Sequence, residues 1–65
     1  MKVNKLRGII VSKGMTQEQV ARQIGISPKT FYNKMKKQVF GTNEVQALIK
    51  LLEIDDPADI FLSKE

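Results

Sequence analysis

The chain has no cysteine and no histidine. Without cysteine, neither a disulfide framework nor a thiolate metal site can add stability. With neither residue present, and with the acids on the half facing away from the basic surface, no nucleophile–base pair or metal-ligand set stands out, so an enzyme is not expected. Long apolar runs are missing too. The longest, Ile9-Ile10-Val11 and Ile60-Phe61-Leu62, fall far short of the roughly 20 residues that a membrane span needs, and the N-terminus has no signal-peptide core. The expectation is a soluble, unprocessed protein of the cytoplasm with no membrane partner. Repeats, low-complexity tracts and linkers are absent, which points to one folded unit over residues 1–65 with loose residues only at Ser63 to Glu65. At 65 residues the core is modest and a deep catalytic pocket is not expected. No cofactor is implied, and Met1, Met15 and Met35 read as packing residues.

Acid is also scarce over a long stretch, with none between Glu18 and Glu44. The net charge of +4 hides an asymmetry: residues 1–37 carry nine basic side chains against Glu18 alone, and residues 38–65 carry two against six acids. Such a distribution gives one end of the fold a positive field suited to a polyanion, with nucleic acid the first partner to consider.

What is present is helical periodicity. Val3, Leu6 and Ile10 share one face of a first helix, with Ile9 on its flank and Gly14 as its stop. Gly8 inside it lowers helix propensity by roughly 1 kcal/mol relative to alanine, so either tertiary packing compensates or something approaches its backbone closely, with packing the favoured reading. Thr16 is an N-cap with Gln19 three residues on, a capping-box spacing. Val20, Ala21 and Ile24 form the buried stripe of that second helix, and Gly25 ends it. Ser27 caps a third helix with Pro28 in its first turn, where the missing amide hydrogen is not needed. It runs to about Lys37, and the Gly25-Ile26 gap suits a sharp turn between the two helices. Thr42 is expected to cap a fourth helix whose inner face is Val45, Leu48, Ile49 and Leu52, with Leu51 beside it and Phe40 stapling its start. Asp56-Pro57 begins a short fifth helix bearing Ile60 and Phe61. Nothing reads as a strand, so the fold class is all-α, a compact bundle of about five short helices.

On the third helix, Phe31 and Met35 lie four apart and point inward, which leaves Lys29, Asn33, Lys36 and Lys37 outward with Tyr32 at the border. An ordinary solvated face would alternate glutamate and lysine so that pairs four apart attract. This face has no acid of its own, an arrangement that calls for a negative partner. In a DNA major groove an amide side chain can pair with adenine and lysine can reach guanine acceptors, which makes Asn33 and Lys29 the base-reading candidates. Tyr32 either packs its ring on the domain or meets a phosphate or thymine methyl. Lys36 and Lys37 suit the phosphate backbone, while Lys34 is expected to be solvated. Gln17, at the start of the second helix, lies where amides and the helix dipole attract phosphate. The start of the fourth helix, with Gly41, Thr42 and Asn43, offers a second anchor of that kind.

Thr16 to Lys37, "TQEQVARQIGISPKTFYNKMKK", resembles the helix-turn-helix of the phage Cro and repressor family, the xenobiotic-response-element type. "TQEQVA" matches its second helix, Ala21 the small residue at the crossing, Gly25 the turn, and "ISPKTFY" the start of recognition. "FGTNEVQALIKLLEI" and "DDPADIFL" are similar to its last two helices. The resemblance implies a lambda-repressor-like DNA-binding domain, with helix-turn-helix 16–37 and recognition helix 28–37. It places the phosphate-contacting glutamine at Gln17 and the base-reading positions at Pro28, Lys29, Tyr32 and Asn33. It further implies a repressor-type transcriptional regulator, of phage or prophage origin, on a pseudo-palindromic operator in double-stranded DNA. A weak homodimer through the C-terminal helices would use apolar residues near Phe40, Leu51, Ile60, Phe61 or Leu62.

Two departures stand out. Pro28 has no hydrogen-bonding side chain, so readout there is apolar or absent. Several members pair an arginine of the first helix with a glutamate of the third, where this chain has Ile10 and Met35; the two are expected to touch, since an apolar pair can replace a buried ion pair without loss. The rival reading is a protein-interaction module or antirepressor on the same fold.

Overall fold

The computed structural model describes residues 1–62; the loose end expected at Ser63 to Glu65 lies outside the described residues. The order is α1 (Val3–Ser12), α2 (Gln17–Gln23), α3 (Pro28–Lys37), α4 (Thr42–Leu52) and α5 (Pro57–Phe61). No strand occurs among the described residues.

Every helix contributes to one apolar cluster. Val3, Leu6 and Ile10 enter it from α1, Val20 and Ala21 from α2, Phe31 and Met35 from α3, Leu48 and Leu52 from α4, and Ile60 from α5, with Ile54 from the α4–α5 connection. Burying each large aliphatic or aromatic side chain contributes about 1.5–3 kcal/mol, and no polar or charged residue is buried in the cluster to offset that gain. Phe31 also meets the Phe40 ring, with centroids 5.5 Å apart and planes tilted by 57°, which anchors the α3–α4 connection. Ile10 and Met35 are each about 1% exposed and belong to this one cluster, as their expected contact requires.

Four helices end by the same device. Gly14, Gly25, Gln38 and Glu53 take positive φ and turn the chain back over the last helical turn. At α2 the Gly25 N–H donates to the Arg22 carbonyl (3.2 Å) and the Ile26 N–H to the Ala21 carbonyl (3.0 Å), the two bonds of a Schellman motif. The residue after each αL position, Met15, Ile26, Val39 or Ile54, is apolar, as that motif favours.

Two expectations are corrected. Gly8 is exposed, and a Cβ built there would meet nothing within 4 Å, so neither packing at this position nor a close neighbour accounts for the glycine; α1 is held instead by Val3, Leu6 and Ile10 on its other face. Thr42 is the first helical residue of α4 and not its cap, which is Gly41. The reason is Glu44, whose carboxylate accepts the Gly41 N–H at 2.7 Å and so fills the helix start from within.

Candidate nucleic-acid interface

α2 and α3 are set by their caps. The Thr16 hydroxyl accepts the Gln19 N–H (3.1 Å) and the Gln19 side chain accepts the Thr16 N–H (2.9 Å), a reciprocal box that satisfies two donors left over at a helix start. The Ser27 hydroxyl accepts the Thr30 N–H (3.2 Å), with Pro28 at the first helical position. Between them the Gly25 turn lets α2 pack chiefly on α3, with Val20, Ala21 and Phe31 fully buried.

The opposite side of α3 carries the outward set. Lys29, Tyr32, Asn33, Lys36 and Lys37 are all exposed, and at 48% exposure the Tyr32 ring faces solvent and is not packed away. Pro28 and Gln17 are half-buried at the first positions of α3 and α2, and Thr42 and Asn43 are exposed in the first turn of α4. Asn33 and Lys37 share a shallow groove with Thr30, Lys34, Val39 and Gly41, so the outer face of α3 is continuous with the start of α4.

Charge pairing sorts the nine cations of residues 1–37. Lys2 and Lys5 both bind Asp59; Lys13 lies 3.7 Å from Glu53, Arg22 2.7 Å from Glu18, and Lys34 2.6 Å from Glu44. Among the described residues, no ion pair involves Arg7, Lys29, Lys36 or Lys37. Asp59, Glu53 and Glu44 therefore fold back onto Lys2, Lys5, Lys13 and Lys34, and three of the four cations left over stand on the outer face of α3. Lys36 and Lys37 also stand in its last turn, where the helix dipole favours cations.

Lys34 is the exception on α3. Its ammonium donates to both Glu44 oxygens, at 2.7 and 2.6 Å, so the expected solvated lysine is a tethered one. The Lys34 ammonium, then the Gly41 N–H, holds the Glu44 carboxyl below its ordinary value. The start of α4 is thus already occupied by a carboxylate, which alters the second phosphate anchor expected at Gly41, Thr42 and Asn43. The Glu44 bond to the Gly41 N–H is the half of a capping box that needs no side chain at the cap; a glutamate three residues after Gly41 was the sequence sign of that bond, and none marked the pairing with Lys34.

No group of three or more His, Cys, Asp or Glu side chains that could hold a metal occurs among the described residues, and no described helix is long and apolar enough to cross a membrane.

In a comparison with known families, the model of the Cro/C1-type HTH DNA-binding domain matches residues 5–62, from the first turn of α1 to the end of α5. No curated protein and no solved structure shows significant similarity to the chain.

Proposed function

The chain belongs to the Cro/C1-type helix-turn-helix DNA-binding domains, and from that premise we propose that it is a sequence-specific transcriptional regulator, of phage or prophage origin, that represses by occupying an operator. The observation that carries this reading is the outer face of α3: three unpaired lysines, an amide and a phenol with no acid among them. In this reading α3 lies in the major groove of double-stranded DNA within a bacterial or phage-infected cell. Asn33 pairs with adenine and Lys29 with guanine acceptors, Tyr32 touches a thymine methyl or a phosphate, and Pro28 offers an apolar edge. Lys36, Lys37 and Gln17 hold phosphates and so set the register without reading sequence. Thr42 and Asn43 add contacts through their side chains, since Glu44 takes the first free amide of α4.

The operator is pseudo-palindromic and is bound by a weak homodimer whose half-sites lie about one helical turn apart. An apolar groove lined by Val45, Pro57, Ala58, Phe61 and Leu62 supports the C-terminal helices as the contact, with Leu62 82% exposed. Ile60, 1% exposed, is withdrawn from that surface because it belongs to the core.

Selection from random duplex DNA at moderate salt tests the reading. The expected result is a recovered palindrome whose binding weakens steeply with salt, as cations are released from phosphates. Recovery of no sequence, with salt-independent binding to another protein, would overturn it in favour of an interaction module or antirepressor.

A further inference from the structure

Lys34 and Gly41 line the groove that also holds Asn33 and Lys37, and both are bonded to the Glu44 carboxylate. A carboxylate thus stands directly behind that groove, where its charge opposes phosphate. Glu44 is only 15% exposed, against 33% for Lys34, and its oxygens are held by the ammonium and by the Gly41 amide. It is not a swinging surface acid. Its effect falls on Lys34, which stands in the same last turn of α3 as Lys36 and Lys37 but has its charge turned toward α4.

We propose that Glu44 is a positioning residue that holds Lys34 off the phosphate backbone, and so sets how many phosphates the domain neutralises. The proposal rests on the DNA-binding reading above. It adds that the basic face is restrained from within: one of the four α3 lysines is withheld from DNA, and duplex affinity is lower than the lysine count implies. The restraint acts on phosphate contacts alone, so it changes affinity alike for every sequence and leaves base readout by Asn33 and Lys29 untouched.

The test uses the full chain, a fluorescein-labelled random-sequence duplex, and KCl titrations of binding anisotropy. Glu44→Gln keeps an oxygen that can accept the Gly41 N–H, so the start of α4 is retained while the charge is lost. With Lys34 released, affinity should rise about three- to tenfold near 0.1 M salt, and the slope of log K against log[KCl] should steepen by about one, the effect of one further phosphate contact. The double variant Lys34→Gln/Glu44→Gln, with the wild-type net charge, should return to the wild-type slope. Circular dichroism checks that both variants are helical, and a role limited to stability would shift their melting without moving the slope. Unchanged slope and affinity in Glu44→Gln would overturn the proposal while wild-type binding stands, as would a double variant as steep as the single one. Loss of duplex binding in the wild type itself would overturn the DNA-binding reading together with it.

Discussion

The outer face of α3 and the seam between α1 and α5 are both rich in lysine, and the fold treats them in opposite ways. At the seam, Asp59 of α5 is held by Lys2 and Lys5 together, and the Lys2 N–H donates to the Ile60 carbonyl at 2.7 Å. The charges there close the bundle by tying the start of the chain to its last helix. On α3, Lys29, Lys36 and Lys37 meet no acid among the described residues and remain available to an outside anion. The same residue type is paired across a helix seam in one place and exposed without an acid in the other. Proximity to a carboxylate from the second half of the chain makes the difference.

The two sides of α3 differ most in what they contribute to folding. Phe31→Ala removes a fully buried ring and should cost about 3–5 kcal/mol, much of the folding free energy of a small domain. Lys36→Ala on the outer side should stay within about 0.5 kcal/mol. Urea denaturation followed by circular dichroism measures both, and similar losses would mean that α3 has no inner and outer side in solution.

The next effect is on binding. Asn33→Ala should lose about 1–3 kcal/mol on the selected operator and relax preference at one base position. Lys37→Ala should weaken all sequences alike and reduce the salt slope by about one. Equal loss on operator and random duplex for the Asn33 variant would remove it from base reading.

A smaller effect concerns the outward side of α1. Because a Cβ at Gly8 meets only open space, Gly8→Ala should stabilise the helix by about 0.5–1 kcal/mol, seen as a higher urea midpoint. Destabilisation would reveal a constraint on that backbone.

The smallest effect at neutral pH is at the seam itself, and it is read as a pH dependence. Donation from Lys2, then from Lys5, lowers the Asp59 carboxyl from 3.8 to about 2. Because it ionises more readily in the folded state, its contribution is complete above about pH 4 and disappears as pH falls toward 2. The stability difference between wild type and Asp59→Asn should therefore shrink across that window. A constant difference from pH 6 to pH 2.5 would show that the ion pairs contribute nothing.

Much of this architecture was legible because it is local. Gly14 and Gly25 mark helix ends by supplying positive φ without a Cβ penalty, and Thr16 with Gln19 and Ser27 with Pro28 mark helix starts within a single turn. The same reasoning fails where local preference is overridden. Gln38 and Glu53 take the αL position at the ends of α3 and α4, where glycine would be expected. Thr42 reads as a better cap than Gly41 until Glu44 is seen to reach the Gly41 amide. The outer set of α3 followed from helical spacing, but the state of Lys34 did not, because its partner lies on another helix.

Local sequence was enough for the five helices, for the family, and for most of the apolar residues that meet in the core, since caps and 3.6-residue periodicity act over a few neighbouring residues; Val45, read as an inner residue of α4, instead lines the outer groove with Phe61 and Leu62. Tertiary structure alone decided which cations are left over. Lys2 and Lys5 meet an acid 57 and 54 residues away, and Lys34 meets one 10 residues away on the next helix. Composition counts such charges as equal. Coulomb attraction depends on separation in space, and only the packing of α4 and α5 against the first half sets those distances.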